Sequence, residues 1–529
     1  MTSQSSAPLP ERPNLEQLKK QAKSLLHAAR AADASALERF RLLPAFARKS
    51  STELAALGLA LHDAQSVLAR EHGFESWNAL REHVEERSLS FAAAVDEFVR
   101  CATGSAAARA MRLLALHPGI AHANLYTELV LGDAERVQER LRAQPALATQ
   151  SGGVQDWEPL LYVCHTCLHR DQPARADGLV AIAKELLARG ANPNAEYHWQ
   201  WHPELPRTAL WGALCGTAHL PLAEVLLQAG ANPTDGVSLH ITAGGCHLAS
   251  LELLARFKVD PNGIPGGVPP LRYILSWADD PAGPRWLLEH GANPNLPWSQ
   301  HGDAPIHVAA QRWDVPMMEL LAQHGADLHQ RRTDGRTALT LAELHGNEAV
   351  AAWLRGQGAK DELSPLDRFV AACSRGDRAR AEAMLRSNPE LRGQLRKEHH
   401  LMMQVPAERG DAAVLETMLT CGFNPNVGDH DGVTALHRTA MGGRAEATRV
   451  LIAHAAAVDA LDGMFAGTPL LWAAEGWRHG SGPGVDHVAV ARLLIAAGSP
   501  ITWTPPEKAP DPESTQETLL ALCRAAEAV

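Results

Sequence analysis

A short phrase recurs along this chain: two leucines, two further residues, then Gly-Ala-Asn-Pro, at 186–193, 226–233 and 287–294. Frayed copies follow from Leu321, Leu354, Leu419 and Leu451. The glycine slot falls at Gly291, Gly325, Gly358 and Gly422 and then holds Ala455, in steps of 34, 33, 64 and 33 residues. A period near 33 residues repeated this often specifies a solenoid of small helical units, each needing its neighbours to bury its apolar face.

A second motif stands about one helix upstream of these glycines. It reads Asp431-Gly432-Val433-Thr434-Ala435-Leu436-His437 in one unit and Asp334-Gly335-Arg336-Thr337-Ala338-Leu339 in another. Variants occur at Thr468-Pro469-Leu470, Ala304-Pro305-Ile306-His307, Glu158-Pro159-Leu160 and Thr208-Ala209-Leu210. Asp-Gly suits a tight turn, Thr caps a helix, and Pro fits the first helical position, whose N–H has no helical partner. The glycine closes the second helix in the left-handed conformation, and the following proline prevents its continuation. His437 and His307 read as structural turn histidines rather than ligands.

Two motifs recurring in phase resemble the ankyrin repeat, with its Thr-Pro-Leu-His signature and its 33-residue period. The resemblance covers residues 91 to about 501 and implies an all-α ankyrin-repeat solenoid of helix-turn-helix units joined by β-turn loops. It also implies a non-enzymatic scaffold for protein–protein interaction. Residues 1–90 lie outside the repeat phase and read as a small helical N-terminal domain. Apolar stripes run there through Leu15, Leu18, Ala22, Leu25 and Leu26, and through Leu54, Leu57, Leu61, Ala64 and Leu68, with Phe74 and Trp77 as core anchors. Residues 61–85 resemble a helical module found ahead of ankyrin arrays in bacterial proteins.

Some units are divergent, their second helix ending in proline, as at Met111–Ala121 and Glu139–Ala148, and residues 366–393 repeat the pattern of 94–121. The expected organisation is a helical module over 1–90, subarrays over 91–362 and 363–501, and a linker with a capping helix over 502–529. Stacking is expected to weaken near 356–364.

Composition bounds the function classes. The chain has 529 residues, 46% of them hydrophobic, and no apolar run near spanning length. The N-terminus has no apolar segment of secretory type, and eight scattered cysteines form no disulfide framework, so a cytoplasmic location is expected. A net charge of −11 disfavours polyanion binding, so neither nucleic acid nor membrane is an expected partner. No phosphate loop, HExxH helix or nucleophile elbow stands in a supporting context, so no catalytic residue and no cofactor are expected. The pairs Asp279-Asp280 and Glu85-Glu86 read as solvated surface.

Insertions carry the functional expectation, because a solenoid admits them in its loops. Three are evident, at His169–Gly178, Ala195–Pro206 and Gly476–Asp486. The middle one holds Tyr197, His198, Trp199, Trp201 and His202, and with Trp157 and Trp211 it forms the expected partner-binding site. Cys164, Cys167, His198 and His202 have the outline of a zinc set, which keeps open an alternative, a metal sensor or unrecognised enzyme centred on Cys164–His202. Thirty residues between the pairs, and cysteines on a stacked helix, favour core packing instead.

Overall fold

The computed structural model describes residues 9–10, 13–104, 106–170, 172–198, 206–263, 267–299, 301–360, 362–479, 484–504 and 512–527. Backbone contacts divide the chain into two units, one running to His198 and resuming over Pro206–Asn232, the other running from Pro233 onward.

The first unit opens with helices Leu15–Arg30, Ala34–Phe40, Ser51–Ala56, Leu61–Glu71 and Trp77–Ser88. Side chains of Asn14, Asp33, Ser50 and Ser76 cap four of them by accepting backbone N–H groups. Leu18, Ala22, Leu25, Leu54, Ala64, Leu68 and Trp77 share one core. The second expected stripe is broken, because its helix stops at Ala56 and Leu57 is exposed. Gly58 follows, a poor helix residue, and Leu59 fills the core instead. Glu86 corrects another expectation: it is only 2% exposed and is held by Arg112 at 2.8 Å from the helix Ala107–Leu116, which ties this module to the first repeat.

Twelve helix pairs follow among the described residues, four in the first unit and eight in the second. The divergent units share a local structure. After Ala107–Leu116, Ala134–Ala143 and Arg378–Ser387, the proline starts a 3₁₀ turn at Pro118–His122, Pro145–Ala148 and Pro389–Gln394. These turns bury Ile120, Ala148 and Leu391. The last helix, Pro512–Glu527, packs Leu519, Leu522 and Cys523 onto the second unit's core.

The recurrent phrase has a clear physical reading. The amide after each glycine slot donates to the first leucine's carbonyl, as in Ala231 to Leu226, Ala292 to Leu287 and Ala326 to Leu321, at 2.9 to 3.0 Å. Those leucines are fully buried, so one residue type seats the helix and the next closes it. The glycines have φ near +90°, as at Gly230 and Gly291, where an L residue is disfavoured. Ala455 and Lys258 occupy the same slot at φ +61° and +59°.

The Asn after the proline latches successive turns together. Asn194 accepts from the Asn232 amide and donates to the Gly230 carbonyl; Asn295 does the same to Asp327 and Gly325, and Asn426 to Ala457 and Ala455. His437 accepts the Thr434 amide at Nδ1, and its Nε2 lies 3.1 Å from the carbonyl of Gly467 in the next turn. His307 bridges Ala304 to Gln330 in the same way, so both histidines are turn residues.

Within the second unit, the segment 356–364 is flanked by packed helices. Ala338–Leu344 packs on both Pro305–Arg312 and Pro365–Ser374. Buried Glu343 pairs with Arg355 before the segment and Arg375 after it.

Candidate interaction site

The two ends of the Ala195–Pro206 insertion pair as antiparallel strands of a hairpin, Glu196–His198 against Pro206–Thr208, with Tyr197 opposite Arg207. Thr208 ends it and caps the next helix by accepting the Trp211 amide. The helix Pro159–His165, started by its proline, presents His165 toward the hairpin. Trp157 stands just before that helix, on a tight turn where Gly152 and Trp157 form an isolated bridge.

These elements bring the rings together around His165. Trp157 stacks on Tyr197 at 4.1 Å between centroids, with 27° between planes. His165 meets Tyr197 edge-on at 5.2 Å, Trp157 at 5.5 Å and Trp211 in parallel at 5.7 Å. The Arg207 guanidinium lies 3.9 Å over the Trp211 ring. Beneath them, buried Tyr162 lies 5.4 Å from Trp157 and donates to the Gly152 carbonyl. Each such pair contributes about 0.5–1.5 kcal/mol beyond its buried area.

Trp157, Tyr197 and Trp211 are half-buried, so the cluster is an anchored platform rather than a free loop. Burial lowers the His165 pKa to about 4; a backbone hydrogen bond at Thr208 opposes the shift and the Arg207 charge adds to it. The ring is therefore neutral at physiological pH, and its Nε2 meets no hydrogen-bond partner among the described residues, nor does Trp211 Nε1. Burial also raises the Tyr197 pKa.

Of the expected site residues, Tyr197, Trp157 and Trp211 converge. His198 is exposed beside Glu196, and Trp199, Trp201 and His202 lie outside the described residues. The zinc outline does not assemble among the described residues. Cys164 is fully buried in the stack with its pKa raised by desolvation, and the Cys167 thiol donates to the Ala102 carbonyl. Neither thiol belongs to a group of three or more ligand side chains within reach of one metal ion; among the described residues that grouping is found at Asp429, His430 and Asp431. Asp429 is committed to the Asp431 and Val433 amides and to Arg438.

Sequence reading missed His165 as the hub, because it sat inside a Cys-His-Thr-Cys string that drew attention to the sulfurs. It also missed Arg207. The His169–Gly178 insertion differs from expectation too: the helix begins at Pro173, so most of the added residues lengthen a helix rather than a turn. Its Gly178 lies against Gly132, where an added Cβ would stand 2.0 Å from the carbonyl oxygen. The Gly476–Asp486 insertion is helical to His479, and residues 480–483 lie outside the described ones.

Comparison with known proteins places names on the repeat. A family model described as ankyrin repeats, in three copies, matches residues 273–363 and 401–502. Human SH3 and multiple ankyrin repeat domains protein 2 is 29% identical over 173 residues, covering 31% of this chain and 9% of that protein. Cyclin-dependent kinase inhibitor 2A of Monodelphis domestica is 39% identical over 69 residues, covering 13% and 40%. The chain thus spans less than half the length of these relatives. Among solved structures, the ankyrin repeat domain of human ASB11 is 23% identical at a TM-score of 0.25, covering 42% of this chain and 98% of that one. With the paired helices, glycine-closed turns and histidine bridges in place, residues 273–363 and 401–502 are ankyrin repeats, and the fold they belong to is an all-α ankyrin-repeat solenoid.

Proposed function

We propose that this chain is a non-enzymatic ankyrin-repeat scaffold, cytoplasmic and of bacterial type, that binds a protein partner through the hairpin at 196–208. The proposed contact set is Trp157, Tyr197, His198, Trp199, Trp201, His202 and Trp211. One observation carries this reading: Trp157, Tyr197 and Trp211 are packed on one another or on His165 yet remain half-exposed, with Arg207 laid over the Trp211 ring. Rigid aromatic anchors lose little entropy on binding and dominate interface energetics, with Arg as their frequent companion. No helix among the described residues is long and apolar enough to cross a membrane.

The division into a helical module over 1–90, subarrays over 91–362 and 363–501 and a cap over 502–529 belongs to the same proposal. The test is affinity capture from the native cell with the full chain, followed by binding of the identified partner to Trp199→Ala and Trp201→Ala. Loss of binding with an unchanged melting curve supports the site. Normal binding by both variants, or early melting in both, assigns the loop a structural role.

A further inference from the structure

A cavity of about 410 Å³ lies among the C-terminal helices of the second unit, and it shares no residue with the hairpin site. Its walls are Met441 from the end of helix Ala435–Met441, Phe465 from the turn before helix Pro469–His479, and Leu471 and Trp472 from that helix. Trp503 and Thr515 also line it, the latter from the capping helix. A volume of several hundred Å³ with mostly apolar and aromatic walls is the usual form of a small-molecule site.

The walls are fixed before any ligand arrives. Trp472 Nε1 donates to Asp462 Oδ2 at 3.0 Å, and Asp462 is itself held by the amides of Met464, Phe465 and Gly467. Trp503 Nε1 donates to the Phe465 carbonyl at 3.0 Å. Both indole N–H groups are thus bonded within the protein, so neither is needed by an occupant. The cavity's charged groups are Glu475 and Arg478, 3.8 Å apart and of opposite sign.

We propose that this cavity is a binding site for a small aromatic molecule without net charge. A volume of about 410 Å³ is too small for a partner helix, about 10 Å across with its side chains. A charged ligand would meet Glu475 and Arg478 together, one of them repulsive, and would lose hydration without a matching gain. A neutral ring needs only the indole and phenyl walls, against which offset or edge-on packing is favourable.

Indole is the probe, with saturation-transfer NMR on the full-length chain as the readout. Saturable binding is expected, with benzoate and benzylamine each at least tenfold weaker. Met441→Trp enlarges a wall side chain at a position already 41% exposed and should weaken indole at least tenfold without lowering the melting temperature. No saturable indole signal on the wild-type chain would overturn the proposal. So would equal binding of benzoate or benzylamine, a comparison that needs no variant. Unchanged indole affinity in folded Met441→Trp would overturn it as well.

Discussion

Ala455 stands where most other units of this solenoid carry glycine, at φ +61°, and Lys258 does so at +59°. An L residue held there costs roughly 1 kcal/mol. Ala455→Gly and Lys258→Gly should each raise stability by up to about that amount in chemical denaturation. The reverse change, Gly325→Ala, meets nothing within 4 Å at the new Cβ, so its cost should be backbone strain alone, of the same size. His165 supplies a pH-dependent test. Its folded pKa is about 4, below the unfolded value of about 6.5, so between these the unfolded chain binds the proton and the folded chain does not. Its contribution is complete above pH 6.5 and is lost as pH falls toward 4. Relative to a His165→Gln variant, the wild type should lose up to about 3 kcal/mol of stability from pH 7 to pH 4. Parallel stability curves for the two proteins would contradict the buried neutral ring.

At the level of the turn, much was legible and one part was not. The leucines and glycines announced their roles because helix burial and left-handed φ constrain residue type so tightly. The Asn after the proline recurred at Asn194, Asn295 and Asn426, but its partners lie in the next unit, some 30 residues away, where a local reading cannot look. Thr234 holds the same slot and accepts the Asp260 amide through its hydroxyl. Thr234→Asn should therefore gain a fraction of 1 kcal/mol, and Asn295→Ala should lose about 1 kcal/mol, both measurable by urea titration. The hairpin was legible as an insertion rich in aromatic residues. Its target was not, since the stacking of Tyr197 on Trp157 joins residues 40 apart through a turn whose geometry the sequence does not specify.

For the whole chain, the period identified the architecture while energetics between units stayed hidden. Segment 356–364 looked like a weak joint from its polar composition, yet Glu343 spans it, buried at 6% exposure, with Arg355 and Arg375 as partners. Removing one side of a buried charge pair is strongly destabilising. Glu343→Gln should therefore speed proteolytic cleavage within Gly356–Ser364, while an unchanged cleavage rate would mean that the ion pairs do not govern the joint. The charge of −11 is equally a whole-chain property, and it bears on which partners are repelled rather than on where one binds.

Amide hydrogen exchange of the full chain, with and without its captured partner, tests the central proposal most directly, because it reads every turn at once. A partner seated on the aromatic hairpin predicts new protection over residues 153–165 and 196–211, with the other turns unchanged. Protection confined to other turns, with these two segments exchanging as in the free protein, would contradict it.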